Sequence, residues 1–201
     1  MIKVVSSWGA IGGSTIALNN LVNLFNSKGY ESCLFTPGHR QDTKDKWKGI
    51  TCEWNHLDKL SFNKEDIVIH HFLQLSERPD VKKVVLSCHE TNLFPIKEMN
   101  MDYCDEIQFV SNFQRDWQGV DGWVIPNVIT KYNKESIRED KKVAGIIGSI
   151  DPHKSVHESI QRATRDKDVS KVVIYGSITD PSYFIQEVMP LLNSKVIYCG
   201  I

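Results

Sequence analysis

The sequence has no C-x-x-C pair, no long apolar run and no excess of basic residues. Each absence removes a class of function. Five scattered cysteines, Cys33, Cys52, Cys88, Cys104 and Cys199, offer neither a zinc-site spacing nor a disulfide framework. They read as reduced thiols, most of them core residues. No stretch approaches the roughly 18–20 apolar residues that cross a bilayer. Segment 1–8 lacks the basic-then-apolar plan of an export signal, so the expectation is a cytoplasmic protein. Lys and Arg number 24 against 25 Asp and Glu, a net charge of -1. That balance argues against nucleic acid as a partner.

What is present is an alternation of apolar patterns. Segment 2–5 reads as a strand, followed by Gly9, Gly12 and Gly13. Ser14 is placed to cap a helix with Leu18, Leu21, Val22 and Phe25 on one face, and Gly29 stops it. Segments 30–35, 66–70, 83–87, 106–110 and 122–125 read as further strands, several of them continuous apolar runs of the kind buried in parallel sheets. Ser111 caps a short helix with Phe113 and Trp117 on one face. Segment 39–48 is polar and reads as a loop.

Residues 129–142 are polar and heavily charged, the best boundary in the chain. Beyond them the pattern restarts. Strands are expected over 143–147, 171–175 and 195–198. Asp151-Pro152 and Asp180-Pro181 each read as an N-cap followed by proline at the first helical position. Val156, Ile160 and Ala163 face the core from the first helix, and Phe184, Val188 and Leu191 from the second. The fold class is therefore α/β: a Rossmann-like doubly wound parallel sheet over 1–128, a linker over 129–142, and part of a second Rossmann-like lobe over 143–201.

Three places could carry chemistry. The loop Trp8-Gly9-Ala10-Ile11-Gly12-Gly13-Ser14 brings glycines to a helix N-terminus, where backbone N–H groups can meet an anion. It is not G-x-G-x-x-G, and no acidic residue ends the second strand, so the dinucleotide fingerprint fails. The competing reading is a tight turn for close packing. The second place is Gly148-Ser149-Ile150-Asp151-Pro152-His153-Lys154. His153 and Lys154 would fall in the first helical turn, where a cation costs roughly 0.3–1 kcal/mol unless an anion is bound. A merely solvated lysine competes with that reading. The third is His89, which with His70 and His71 lies at strand C-terminal ends, where open α/β sheets hold ligands. A structural histidine is the alternative.

Taken in order, these segments resemble retaining glycosyltransferases of the GT-B fold, in particular the family 4 group of glycogen-synthase-like and bacterial mannosyl- and glucosyltransferases. The residues that carry the resemblance are Gly12-Gly13 with Gly29-Tyr30-Glu31, Val110-Ser111-Asn112 with Arg115, Val124-Ile125-Pro126-Asn127-Val128, and Gly145 through Lys154. Val173-Ile174-Tyr175-Gly176 and Val196-Ile197-Tyr198-Cys199-Gly200 fit its next two strands. The resemblance implies transfer of a hexose from a nucleotide-sugar to a glycan, lipid or protein hydroxyl, with no metal and no cofactor beyond the co-substrate. It places Gly12, Gly13 and Lys154 on the donor diphosphate and His89 beside the transferred sugar, with Ser14, Ser149 and His153 as accessories. It also implies peripheral membrane contact.

Two departures stand out. Ser149 replaces the family's arginine in its "GR" segment. The family's E-x7-E carboxylate pair lies beyond the third strand of the second lobe and is not in these residues. The expectation is a truncated form or fragment, inactive alone and able to oligomerise through an incomplete second lobe. A non-catalytic binding module is the main alternative. An epimerase or reductase is weaker, because the dinucleotide fingerprint is missing.

Overall fold

The computed structural model describes residues 1–7, 12–37, 50–71, 77–89, 96–98, 101–129 and 142–200. The polar segment 39–48 and nearly all of the charged stretch 129–142 lie outside them. The chain divides into two compact units, Met1–Tyr132 and Asn133–Ile201.

The first unit is built on seven strands: β1 (Ile2–Ser6), β2 (Ser32–Thr36), β3 (Trp54–His56), β4 (Ile67–His71), β5 (Lys83–Cys88), β6 (Glu106–Phe109) and β7 (Trp123–Val124). They form one parallel sheet in the order β3-β2-β1-β4-β5-β6-β7. Parallel sheets need cover on both faces, and the alternation along each strand supplies it. Val4, Leu34 and Ile69 meet Leu18 and Val22 of α1 (Gly13–Ser27). On the opposite face, Val5, Cys33, Phe35, Val68 and Val84 pack with Val81 and Tyr103. Leu86, Cys88 and Phe109 pack there with Ile96.

The helices differ from expectation in detail. Gly12, not Ser14, is the N-cap of α1, and it supplies no side-chain oxygen. Gly29 at φ 82 follows the helix in the left-handed region, as expected of a glycine stop. In α2 (Asn112–Gln118) Ser111 does cap the helix, accepting from the Gln114 N–H at 3.2 Å. Its expected apolar face is not the buried one. Phe113 is 72% exposed and Trp117 47%, whereas Gln114 and Gln118 are buried. The reason is hydrogen bonding. Gln114 accepts from the Val110 N–H at 2.9 Å, and Gln118 accepts from the Ile96 N–H at 3.0 Å. Two backbone donors beneath the helix require polar partners more than the sheet requires apolar ones. Gln118→Leu should therefore cost about 1–3 kcal/mol, the penalty of an unsatisfied buried N–H. Phe113→Ser should stay within about 0.5 kcal/mol of wild type. Urea titrations of both variants check the contrast.

The second unit is a three-stranded parallel sheet of β8 (Lys142–Ile147), β9 (Val169–Tyr175) and β10 (Val196–Tyr198) in the order β10-β9-β8. Its core joins Val172, Ile174 and Val196 to Val156 and Ile160 of α3 (Val156–Arg165). Phe184 and Val188, which follow α4 (Pro181–Tyr183), complete it. The helix expected from Pro152 begins later. Pro152–Lys154 is a 3-10 turn, Ser155 is left-handed at φ 44, and α3 starts only at Val156. The segment after α4 is not a regular helix either. It runs as a π turn over Phe184–Val188 and a 3-10 turn over Met189–Leu191, which contains Pro190. The Tyr183 hydroxyl ties the two helical segments together, accepting from the His157 N–H at 3.2 Å and lying 2.7 Å from its ring Nδ1. Strand β3 has no counterpart in the sequence reading. It is a half-exposed edge of three residues with no apolar run to announce it.

Candidate functional site

In the first unit β1 pairs with β2 on one side and β4 on the other. Chain order reverses there, and open α/β sheets hold ligands outside the carboxyl ends of such strands. The N-terminus of α1 follows β1, His71 ends β4, and His89 follows β5.

Among the described residues nothing packs tightly against Gly12 or Gly13. Gly12 is extended at φ -153, a conformation open to any residue. Among the described residues, a Cβ at either position would meet nothing within 4 Å. The first turn of α1 carries no acidic side chain that would oppose an anion. Ser14 lies in the first turn and is not its cap.

His89 is half-buried. Its ring lies edge-on to that of His71, with centroids 4.8 Å apart. Burial, followed by the charge of His71, lowers its pKa from 6.5 to about 4. A neutral ring at physiological pH is the result. His89 Nε2 lies 3.1 Å from Ser87 Oγ, and Ser87 donates to Gln108 Oε1 at 2.9 Å. Gln108 in turn donates through Nε2 to the Ile125 carbonyl at 3.0 Å. Ser87, His89 and Gln108 line a groove of about 180 Å3 beside α1, with Glu106 and Trp123. His70 belongs elsewhere: its ring meets Tyr103, with centroids 5.5 Å apart.

The second unit holds Ser149, His153 and Lys154. Asp151 dominates this loop. It accepts from Ser149 Oγ at 2.6 Å, from Thr179 Oγ1 at 3.1 Å and from the Lys154 N–H at 3.1 Å. The Ser149 hydroxyl, with Thr179 and the Lys154 N–H, holds its carboxyl below the usual aspartate range. Ser149 is thus committed to a carboxylate. His153 and Lys154 sit in the 3-10 turn, one residue short of α3 and not within its first turn. Among the described residues no group of three or more His, Cys, Asp or Glu is placed to hold a metal ion. No helix among them is long and apolar enough to cross a membrane.

The sequence pointed to His89 through its place at a strand end. It did not point to Ser87 or Gln108. Ser87 is a buried polar residue in an otherwise apolar run, and only the β5–β6 register connects it to Gln108.

These parallel sheets and their flanking helices make the chain an α/β protein with the Rossmann-like architecture of GT-B glycosyltransferases. Solved structures carry that likeness across the chain. The crystal structure of TarM matches with a TM-score of 0.72 at 11% identity, covering 99% of this chain and 76% of that one. The crystal structure of a glycosyltransferase from Rickettsia africae ESF-5 matches with a TM-score of 0.61 at 13% identity, covering 99% and 67%. At these identities the likeness is one of fold. No protein-family model and no curated protein matches the sequence.

Proposed function

We propose that the protein is a glycosyltransferase that moves a hexose from a nucleotide-sugar to a hydroxyl of a glycan, lipid or protein, with retention. The observation that carries this reading is the place of His89, just past the C-terminal end of β5 and lining the groove beside α1, in a chain whose fold is shared with a glycosyltransferase over 99% of its length. The family 4 resemblance supports the finer assignment. Gly12 and Gly13 serve the donor diphosphate from the uncrowded N-terminus of α1, and Lys154 serves it as a cation. His89 contacts the transferred sugar. A metal is not required, because backbone N–H groups and a lysine can stabilise the leaving diphosphate.

The experiment is a calorimetric titration of UDP, GDP and ADP into wild type and Lys154→Ala. A charge-assisted contact is worth about 1.5–3 kcal/mol, so the preferred nucleotide should bind the variant roughly ten- to a hundredfold more weakly. Equal affinities remove Lys154 from the site. Absence of binding by all three nucleotides removes the nucleotide-sugar reading.

A specific observation favours a second reading, a binding module derived from a glycosyltransferase. Where the family carries an arginine, this chain has Ser149 bonded at 2.6 Å to the Asp151 carboxylate. The loop thereby holds a carboxylate where the leaving group would meet a second cation. Release of nucleoside diphosphate from a panel of nucleotide-sugars separates the two readings. Binding without release selects the module.

A further inference from the structure

We infer that Ser87 and Gln108 are positioning residues that lock His89 in the Nε2–H tautomer, so that its Nδ1 serves only as an acceptor for a hydroxyl group of a ligand. The inference deepens the reading above and rests on it for the ligand, but not for the tautomer. It follows from a chain of four groups in which each role forces the next.

The chain begins at the Ile125 carbonyl, which can only accept. Gln108 approaches it at 3.0 Å. The amide must therefore turn its NH2 group toward Ile125, since the opposite orientation would set oxygen against oxygen. Gln108 Oε1 is then the atom left for Ser87, at 2.9 Å. An amide oxygen also only accepts, so Ser87 spends its single proton on it. Ser87 Oγ has lone pairs but no further proton to offer the nitrogen 3.1 Å away. His89 Nε2 must donate, and in a neutral imidazole the other nitrogen then carries the lone pair.

The fold supplies this chain through register. Ser87 and Gln108 are direct partners on the parallel strands β5 and β6. Trp123 of β7 is the partner of Gln108 on its other side, two residues before Ile125. Ser87 is 1% exposed, which limits exchange of its partners with water. His71 is the titratable neighbour on β4, and the depressed pKa of His89 keeps the ring neutral, so the tautomer is defined across the physiological range. A ring fixed in this way discriminates. It accepts from a sugar hydroxyl and repels a carbonyl or phosphate oxygen set against Nδ1.

The test is a long-range proton–nitrogen correlation spectrum of the uniformly labelled chain, with His89 assigned by its loss in His89→Gln. The expected spectrum shows a protonated Nε2 and an unprotonated Nδ1 at pH 7. An Nδ1–H pattern in wild type overturns the inference without any variant. Gln108→Met removes the acceptor for Ser87, frees its proton to point at His89, and should mix or invert the tautomer. Gln108→Glu keeps an acceptor and should preserve it. An unchanged tautomer in Gln108→Met also overturns the inference, because the lock would lie elsewhere. A protein whose activity merely needs these side chains for folding would show no such difference between the two variants. Saturating UDP-glucose or GDP-mannose should then shift the Nδ1 resonance. A correct tautomer with no shift under any nucleotide-sugar rejects the glycosyltransferase reading and leaves the lock standing.

Discussion

Gly176→Ala is expected to unfold the second unit. Gly176 directly follows β9 at φ 155, and a Cβ built there lies 1.7 Å from the Gly148 carbonyl oxygen and 2.7 Å from its carbon. Both contacts are backbone, so no side chain can swing aside. The surrounding bonds leave no slack either. The Gly148 N–H donates to Tyr175 at 3.0 Å, the Gly176 N–H to Gly200 at 2.8 Å, and the Tyr198 hydroxyl to the Gly176 carbonyl at 2.7 Å. Strain of the backbone angle alone is worth about 1–3 kcal/mol. The clash carries the total above about 4 kcal/mol, which a unit with one small core cannot absorb. Gly148→Ala is the control. Its φ is 150, but a Cβ there meets nothing within 4 Å, so the cost should stay at about 1–3 kcal/mol. Amide hydrogen exchange over 142–200 reads both. Protection in Gly176→Ala equal to wild type would show that the two turns do not approach as described.

Removing the carboxylate of Asp66 should strongly destabilise the first unit. Asp66 precedes β4 and is 3% exposed. Its Oδ2 lies 2.7 Å from the Lys3 ammonium and accepts from the Asn63 N–H at 2.8 Å. The N-terminal ammonium is 3.4 Å from Oδ1. Lys3 is itself 4% exposed, and besides Asp66 it donates to the Ser61 carbonyl. Asp66→Ala therefore leaves a buried ammonium without its countercharge, at about 3–5 kcal/mol. Replacing both partners, as Lys3→Met with Asp66→Leu, should lie much closer to wild type, because no charge is left buried. The pH dependence has a definite sign. Burial pushes the Asp66 carboxyl up, but Lys3 and the Asn63 N–H outweigh it and hold it below 3.8. A depressed folded value means stability that is full above the ordinary aspartate range and is lost as pH falls through the folded value. The difference between wild type and Asp66→Ala in denaturant titrations should persist from pH 7 to about pH 4 and narrow only below that.

Strands with apolar runs were legible from sequence because burial on both faces leaves a mark that needs no partner to be read. Segments 66–70 and 83–87 lie within one residue of β4 and β5 at each end. Features set by partners were not legible. Nothing near Ser155 announces a left-handed residue, so the sequence pattern starts the helix after Asp151 one turn too early. Phe113 and Trp117 have the spacing of a buried face, and only the orphan N–H groups of Val110 and Ile96 turn α2 the other way. The same division holds at the site. His89 can be found as a histidine after a strand. The roles of Ser87 and Gln108 depend on which residues β5 and β6 set side by side, a fact of register and not of local pattern.

The central position of β1 bears on how the chain is made. Ile2–Ser6 leaves the ribosome ahead of the other strands of its sheet, and α1 and β2 follow it closely. Its second neighbour, β4, ends only at His71. At synthesis rates of roughly 5–20 residues per second, β1 waits several seconds with one edge unpaired. That edge belongs to a strand whose Val4 and Val5 are fully buried in the finished protein. During this interval the nascent chain offers another copy an open template for strand addition. Nascent chains stalled before β4 should be the species that chaperones hold, and release past it should end that dependence.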